Sequence, residues 1–319
     1  MELLQRKAYW VSVFGLTIFA FLSAGRDVVA KQLFTTARLN PVFATFFMSL
    51  VSWLVFYATA SISGRKPYLF EDVVRASPAI RRLICYSNLL TLVGFLTAIL
   101  SVDKTNAYVS ALLDYGGSPI ITVLLAIIIL RENPSRGART GLSISLVGVI
   151  VLVGGLVHTD DSAEQVRSSM LGATYAIVSA VAFGFNQIVN KKLINCGIVR
   201  DRLWLARLPL LILALGAYIA IDGAIPTPDS WLDLTLWAVA GTTVPLFLLV
   251  YAFEHMRVSN ISSFLFLIPL FSFLGSLAYK HFEYLQIPLY SASGLLVLAG
   301  VLVTERSSCE PARGDARPT

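Results

Sequence analysis

A single carboxylate inside a long apolar stretch is the feature that most constrains the fold of this chain. Residues 105–132 contain an apolar run over 119–130 that holds no charged residue and only Thr122 as a polar one, and Asp114 lies in the first half of the stretch. At 1.5 Å per residue, a helix of this length is about 40 Å long, which is enough to cross a bilayer and its headgroups. An ionisable group in such a helix costs a few kcal/mol to bury unless it faces a polar cavity or a partner charge. Asp114 is therefore a candidate functional residue.

Composition places the whole chain in the membrane class. Of its 319 residues, 56% are hydrophobic and only 14% are charged, whereas a soluble domain is typically about 25% charged. The net charge of +6 would indicate a nucleic-acid partner only if the basic residues clustered with aromatics on one face, but they occur in the gaps between apolar runs. Three cysteines form no metal-binding spacing, and we expect neither a metal nor a cofactor.

Ten apolar segments follow one another along the chain, each near the length that a bilayer requires. The sequence therefore predicts an all-α polytopic membrane protein with ten transmembrane helices and a polar cytoplasmic tail over residues 305–319. The predicted segments are 10–33, 41–62, 83–101, 106–130, 138–157, 170–190, 203–221, 234–253, 259–279 and 287–304.

The distribution of basic residues predicts the orientation. With the N-terminus inside, 18 of the 25 Lys and Arg residues fall on the cytoplasmic side and five on the opposite side, while Arg26 and Arg207 lie within apolar segments and count for neither. Cytoplasmic loops of membrane proteins carry such an excess of positive charge. We therefore expect both termini in the cytoplasm. The expected location, which the charge distribution does not itself indicate, is the plasma (inner) membrane.

The two halves of the chain repeat each other. Residues 28–33 (VVAKQL) resemble residues 188–193 (IVNKKL), and small-residue and proline positions in the fourth and fifth segments recur in the ninth and tenth. Because each half holds five segments, an odd number, the halves must insert in opposite orientations. Inverted repeats of this kind are typical of secondary transporters, whose substrate sites lie near the midplane between the halves.

The repeated motifs also carry a resemblance to a known family. They are Ser118-Pro119, Glu132 and 141–148 (GLSISLVG) in the first half, and Pro269, Glu283 and 293–300 in the second. With them the chain resembles the drug/metabolite transporter superfamily in its ten-helix form, with EamA-type repeats at 1–157 and 158–304. The resemblance implies alternating access between two bundles, driven by an ion gradient or by exchange, with polar metabolites as substrates.

Three charged residues form the centre of the predicted site. Arg26 and Asp27 lie late in the first helix and Asp114 lies in the fourth, at nearly the same depth when measured at 1.5 Å per residue. An ion pair between Arg26 and Asp114 is therefore expected, and it is either a static pair that joins two helices or part of a substrate site. In the second case Arg26 binds an anionic group, and Asp114 or Asp27 accepts a substrate amine or a coupling proton.

Uncharged polar residues extend this candidate site, each with helix packing or interfacial placement as the alternative. The candidates for the cavity wall are Asn186, Gln187, Tyr86, Asn88, Tyr108, Tyr115, Thr242 and Thr243. The candidates for hinges or gates are small residues and prolines that permit kinks, with close helix packing as the alternative for the glycines. They are Gly116, Gly117, Pro119, Gly241, Pro245 and Pro269.

The predicted function is secondary active transport of a small polar metabolite, zwitterionic or anionic, such as an amino acid. Export is expected from family analogy, and the expected partners are the metabolite, a coupling proton or cation, and the lipid bilayer. The first alternative is an uptake carrier or exchanger for organic anions or phosphorylated metabolites. A membrane-embedded enzyme is a remote alternative, since the sequence contains no HExxH or GxSxG motif.

Overall fold

The computed structural model describes residues 2–63, 76–130, 136–159, 163–198, 200–222, 231–256, 258–278 and 287–308, and the regular secondary structure in these ranges is helical. The first half contains α1 (Glu2–Thr36), α2 (Pro41–Ile62), α3 (Pro78–Lys104), α4 (Ala107–Leu125), a π-helical segment at Ala126–Leu130, and α5 (Arg136–Thr159). The second half contains α6 (Ala163–Asn195), α7 (Arg200–Arg207), α8 (Pro209–Asp222), α9 (Trp231–Ala238), a π-helical segment at Val239–Thr243, α10 (Val244–His255), α11 (Val258–Leu265), α12 (Leu267–Ala278) and α13 (Ile287–Ser308).

Every predicted apolar segment overlaps one of these helices or helix pairs. Six helical stretches are long and apolar enough to cross a membrane by length and composition, at residues 8–36, 41–62, 78–104, 107–129, 166–195 and 231–255. Four shorter apolar stretches lie at 139–151, 209–221, 267–278 and 291–300. The chain is thus an integral membrane protein with all-α structure, whereas the number of ten crossings stays a prediction. The last helix continues past the predicted boundary at 304 to Ser308, and residues 309–319 lie outside the described ranges.

Local sequence explains where several helices begin. Asn40 precedes α2, and its side-chain oxygen accepts the N–H of Val42 at 2.8 Å. Ser77 caps α3 in the same way by accepting the N–H of Ile80. In both helices the first residue is proline, whose missing N–H has no acceptor at that position anyway.

Proline also explains two interruptions inside predicted segments. Pro209 cannot donate to the carbonyl of Leu205, and the seventh segment accordingly divides into α7 and α8 around Leu208. Pro269 likewise removes the donor for the carbonyl of Leu265, where α11 ends. Apolar periodicity alone does not reveal such breaks, because the residues on both sides of them are equally apolar.

The most extensive helix–helix contacts join a helix of the first half to a helix of the second. The larger interhalf contacts are α5 with α13, α3 and α4 with α6, α1 with α10 and α12, and α4 with α12, while α2 contacts α7, α8 and α9. Small residues permit close approaches: a Cβ on Gly300 of α13 would collide with Ser145 and with the carbonyl of Gly141, both on α5. The core therefore lies along the boundary between the halves.

Burial follows the pattern of a lipid-facing protein. On α1, Leu16, Ala20 and Ala24 are buried at four-residue spacing, whereas Phe14 and Phe21 of the same helix are exposed. In water, large exposed apolar side chains at this density would be unfavourable. In a bilayer they face acyl chains, and small residues mediate the contacts between helices.

Candidate functional site

A cavity lies between the two halves. Its volume is about 60 Å³ when measured as space open to the centre of a water molecule, which is enough for several waters. The lining residues come from α1, α3 and α4 of the first half, and from α6, α7, the π-helical segment at Val239–Thr243, α10 and α11 of the second. They are Phe19, Ser23, Arg26, Phe95, Tyr115, Ser118, Phe183, Asn186, Gln187, Asn190, Trp204, Arg207, Gly241, Thr242, Pro245, Leu246, Leu249 and Leu265.

Seven residues singled out in the sequence line this cavity: Arg26, Tyr115, Asn186, Gln187, Gly241, Thr242 and Pro245. They come from four separate stretches of the chain, and only tertiary packing brings them together. Asn186 and Gln187 also form the interhelical hydrogen bonds that were their alternative role, Asn186 to Thr91 at 2.9 Å and Gln187 to Ser118 at 3.3 Å.

Arg26 is neutralised by its own neighbour. Its Nε and Nη2 both donate to Oδ1 of Asp27, at 2.8 and 2.7 Å, and Nη2 also donates to the hydroxyl of Tyr115 at 2.8 Å. The arginine is 9% exposed and the aspartate 3%. Adjacent side chains on a helix normally diverge, but the long arginine side chain folds back to reach the carboxylate. The result is a buried ion pair fixed to α4 through a tyrosine.

The expected pair between Arg26 and Asp114 is wrong in this structure. Asp114 is buried in α4 but does not line the cavity, and its Oδ1 has no hydrogen-bond partner among the described residues. Ser179 of α6 lies near this carboxyl group, but its hydroxyl donates to the carbonyl of Gly94 at 3.0 Å. The prediction used only the position of each residue along its helix, which does not specify the direction in which the helix presents its side chain.

The position of Arg26 depends on a glycine in the opposite half. A Cβ on Gly241 would lie 2.8 Å from Cβ and 2.9 Å from Cγ of Arg26, distances that real Cβ atoms almost never show. Next to this glycine, the indole N–H of Trp237 donates to the carbonyl of Arg26 at 3.0 Å. Gly241 lies in the π-helical segment, and Pro245 cannot donate to its carbonyl. Segments of this kind are frequent at functional sites.

A second arginine, which the sequence analysis set aside, reaches the cavity from the other half. Arg207 is the last residue of α7, directly before the break at Leu208. Asn88 of α3 stabilises this break, since its Nδ2 donates to the carbonyl of Ala206 at 2.6 Å and its Oδ1 accepts the N–H of Leu210 at 3.1 Å. Irregular backbone at membrane depth is tolerated where its polar groups find partners or line a cavity.

Two contacts hold the guanidinium of Arg207. Its Nε donates to the hydroxyl of Thr91 at 2.9 Å, and its Cζ lies 3.9 Å from the centre of the Trp204 ring. The same threonine oxygen accepts a hydrogen bond from Asn186, so the arginine and the asparagine belong to one network. A cation over an indole face is a favourable arrangement in a desolvated site.

The charge of Arg207 has no counter-ion in the described part of the chain. The residue is 3% exposed, and the hydroxyl of Thr91 is the acceptor to which it donates. Arginine cannot shed its proton in a protein. An unpaired buried cation costs several kcal/mol, and it persists where the site has a use for the charge.

Other candidates from the sequence lie outside the cavity wall. The hydroxyl of Tyr108 contacts Ser293 at 2.6 Å across the two halves, and Thr243 contacts Ser52 at 2.9 Å. Tyr86 is 58% exposed on the outer surface. Asn88 does not line the cavity but bonds to the backbone on both sides of the break next to Arg207.

The candidate hinges of the fourth helix serve close packing in this structure. A Cβ on Gly116 would meet Val149 of α5 at 2.8 Å, and one on Gly117 would meet Ala180 of α6 at 3.1 Å. The helix α4 also runs through Pro119 without a break. Pro269 is buried in α12, just after the interruption at Phe266.

Sequence reasoning missed Arg207, although a usable signal was present. A charge within the predicted apolar segment 203–221, two residues before Pro209, combines an intramembrane cation with a helix break. A charged residue within an apolar segment was the criterion that singled out Arg26 and Asp114, and Arg207 meets it as well. The apolar lining residues, such as Phe95 and Phe183, give no comparable signal, since any buried helix contains similar side chains.

Comparison with known proteins gives three findings. Residues 10–154 match the family model of the EamA-like transporter family. A protein of known crystal structure superposes with a TM-score of 0.69 at 12% identity, over 95% of this chain and 98% of the other, which shows a shared fold. No curated protein sequence matches the chain. Residues 10–154 thus resemble the EamA-like transporters, a family of the drug/metabolite transporter superfamily, and this resemblance suggests a membrane transporter.

Proposed function

We propose that this protein is a secondary active transporter that carries a small polar metabolite, zwitterionic or anionic, by alternating access. The observation that carries the proposal is the cavity between the halves, which combines an apolar wall with polar side chains from both. A site of this composition suits a small organic solute. In it Arg26, Tyr115, Asn186, Gln187 and Thr242 contact the substrate.

The proposal includes ten crossings in two oppositely inserted repeats, residues 1–157 and 158–304, and the helix contacts support this. Exchange of the repeats relates α1 to α6, α3 to α9–α10, and α4 to α11–α12. The contact of α3 with α6 then corresponds to that of α10 with α1, and the contact of α4 with α6 to that of α12 with α1. The α5–α13 and α4–α12 contacts each join a helix to its own counterpart in the other repeat, so the exchange leaves them unchanged.

A pair of lysines supports the same symmetry at atomic detail. Lys31 donates to the carbonyl of Asp103, near the end of α3, at 2.9 Å. Lys191, its counterpart in the repeated motif, donates to the carbonyl of Phe253 at 2.7 Å, near the end of α10. Cations at helix C-termini are favourable. In oppositely inserted repeats these two contacts lie at opposite sides of the membrane, where each closes one entrance.

Movement between the two access states would concentrate at the interrupted helices. The π-helical segment with Gly241 and Pro245 and the break before Pro269 lack part of the regular hydrogen-bond ladder. Gly116, Gly117 and Pro119 let α4 slide between α5 and α6. Asp27 and Asp114 are the carboxylates for a coupling proton or cation, and Asp114→Asn is expected to abolish coupling while expression stays normal.

We further propose export across the plasma membrane, with both termini in the cytoplasm. Single-cysteine variants test the topology: Lys104→Cys should react with an impermeant maleimide added outside cells, and Arg65→Cys only after the membrane is opened. The reverse pattern, or equal labelling, contradicts the orientation. Native cysteines are replaced by serine as the background.

Transport itself is tested with purified protein in proteoliposomes loaded with labelled amino acids and carboxylic acids. Protein-dependent efflux of one class, recovered chemically unchanged, is the expected result, and empty liposomes are the control. Conversion of the solute would favour the membrane-embedded enzyme. Absence of flux for both classes would contradict the proposed transport of a zwitterionic or anionic metabolite. Inward exchange of organic anions or phosphorylated compounds is the second candidate, favoured by Arg207, a cation in the cavity wall with no counter-ion among the described residues.

A further inference from the structure

We infer that Arg207 binds the anionic group of the substrate, and that the substrate is a small organic anion with an apolar body rather than a zwitterion or a cation. The inference rests on the proposed transport function and narrows its substrate class. It assigns the receptor role to an arginine of the second half instead of Arg26.

The first step is the count of charges at the cavity wall. The lining residues in the described part of the chain include two arginines and no aspartate or glutamate. Arg26 forms its ion pair with Asp27, so its charge is already compensated. The charge of Arg207 is left over, and the empty cavity therefore presents one net positive charge to a ligand.

The second step is the geometry of the guanidinium. Thr91 accepts from Nε and Trp204 covers one face, which fixes the plane of the group. The N–H groups of the two terminal nitrogens make no hydrogen bond with the described residues. A guanidinium edge with free parallel donors matches a planar carboxylate, which it binds with two hydrogen bonds.

The third step is the rest of the wall. Away from the arginine the cavity is lined by aromatic and aliphatic side chains, among them Phe19, Phe95 and Leu249. An ammonium group placed there would find no carboxylate among the described lining residues. An apolar body would fit, so the best ligand is an amphipathic monocarboxylate.

The test uses four probes with one carbon skeleton: 4-methylpentanoate, its amide, leucine and leucinamide. Thermal unfolding of the full-length protein in detergent is followed against the concentration of each probe. The carboxylate is expected to stabilise the protein at concentrations about tenfold lower than the amide or leucine, since a hydrogen-bonded charge pair is worth about tenfold or more. Leucinamide is expected to give no stabilisation. Equal effects of the carboxylate and the amide, tighter binding of leucine, or no effect of the carboxylate would each overturn the inference.

Variants assign the effect to the arginine. Arg207→Gln is expected to lose about tenfold in apparent affinity for the carboxylate, with the affinity for the amide unchanged. Arg82→Gln, at an exposed position of α3, is the matched control and should behave as wild type.

If Arg207→Gln does not fold, the variant Arg207→Lys provides the test, because it keeps the positive charge but loses the planar guanidinium. It should still prefer the carboxylate to the amide, although less strongly. Loss of all preference in Arg207→Lys, or unchanged carboxylate binding in Arg207→Gln, contradicts the assignment.

Flux measurements separate this inference from the transport function on which it rests. A carboxylate that binds through Arg207 but never crosses proteoliposomes would leave the site standing and remove the carrier function. Flux of leucine or leucinamide without carboxylate binding would support the carrier function and remove the site at Arg207.

Discussion

Arg26 and Arg207 reach one cavity from opposite halves of the chain, and both are almost completely buried. Arg26 is accompanied by Asp27 and by the hydroxyl of Tyr115, whereas Arg207 has a threonine hydroxyl and an indole face. The first arrangement is complete without a ligand. Among the residues that the structure describes, the second leaves a charge and several donors without partners, and it is therefore the better place for a ligand to bind. Burial of a charged residue alone does not distinguish a structural role from a binding role, but the compensation of its charge does.

The largest expected effect concerns the compensated arginine. Asp27→Asn leaves Arg26 buried without a counter-ion, and removal of one partner of a buried pair costs about 3–5 kcal/mol. The unfolding free energy of the purified protein in detergent measures this loss. The double variant Arg26→Gln/Asp27→Asn should recover most of it. A single variant as stable as wild type would show that the pair contributes little.

A smaller loss is expected from crowding of the same arginine. Gly241→Ala places a methyl group against Cβ and Cγ of Arg26, and overpacking of this kind costs about 1–3 kcal/mol. Gly25→Ala is the matched control, because a Cβ there meets no neighbour within 4 Å. The same unfolding measurement applies to both. Equal behaviour of the two variants would mean that Arg26 moves aside without cost.

The network that holds Arg207 gives the next prediction. Thr91→Val keeps the shape but removes the acceptor for Nε, so the guanidinium should lose its fixed plane. We expect apparent affinity for 4-methylpentanoate to fall about threefold to tenfold, the value of one such hydrogen bond. Thr91→Ser should restore it, which a purely structural role of the methyl group would not. Full affinity in Thr91→Val contradicts the positioning role.

The smallest expected change in stability belongs to the uncompensated arginine. Arg207→Met removes the cost of burying the charge, several kcal/mol, together with the hydrogen bond to Thr91 and the ring contact with Trp204 that offset it. The unfolding free energy without ligand should therefore change by less than about 1 kcal/mol in either direction. Carboxylate-dependent stabilisation should nevertheless disappear. A loss as large as that of Asp27→Asn would mean that Arg207 is structural after all, and the comparison between the two arginines would fail.

Sequence analysis located much of the fold, and the reasons are local. Apolar runs predicted the helices because each must shield its backbone within the run itself. Prolines alone did not predict the interruptions: Pro269, a hinge candidate, and Pro209, which was not one, both follow breaks, whereas α4 continues through the hinge candidate Pro119. A carbonyl freed by proline needs a donor from elsewhere, and such donors come from other parts of the chain. One example is Trp53, which donates to the carbonyl of Leu205 at 3.4 Å.

The candidate site was predictable in part for the same reason. Arg26, Asn186 and Gln187 were found because polar groups within apolar segments need partners. Tyr108 and Asn88 met this criterion equally well, but they bond to Ser293 and to the break after α7 instead of lining the cavity. Sequence shows that such a residue requires a partner, but it does not show whether a side chain of the protein or a ligand provides it.

The amino-acid sequence by itself determined that this protein lies in a membrane and where most of its helices run, since both follow from composition and from the length of the apolar runs. The tertiary structure alone decided that Asp27, and not Asp114, neutralises Arg26, and that Arg207 lines the cavity without a counter-ion among the described residues. These outcomes depend on how each helix is rotated about its axis against its neighbours. That rotation is set by contacts between residues far apart in the chain, such as Gly241 against Arg26 and Thr91 against Arg207.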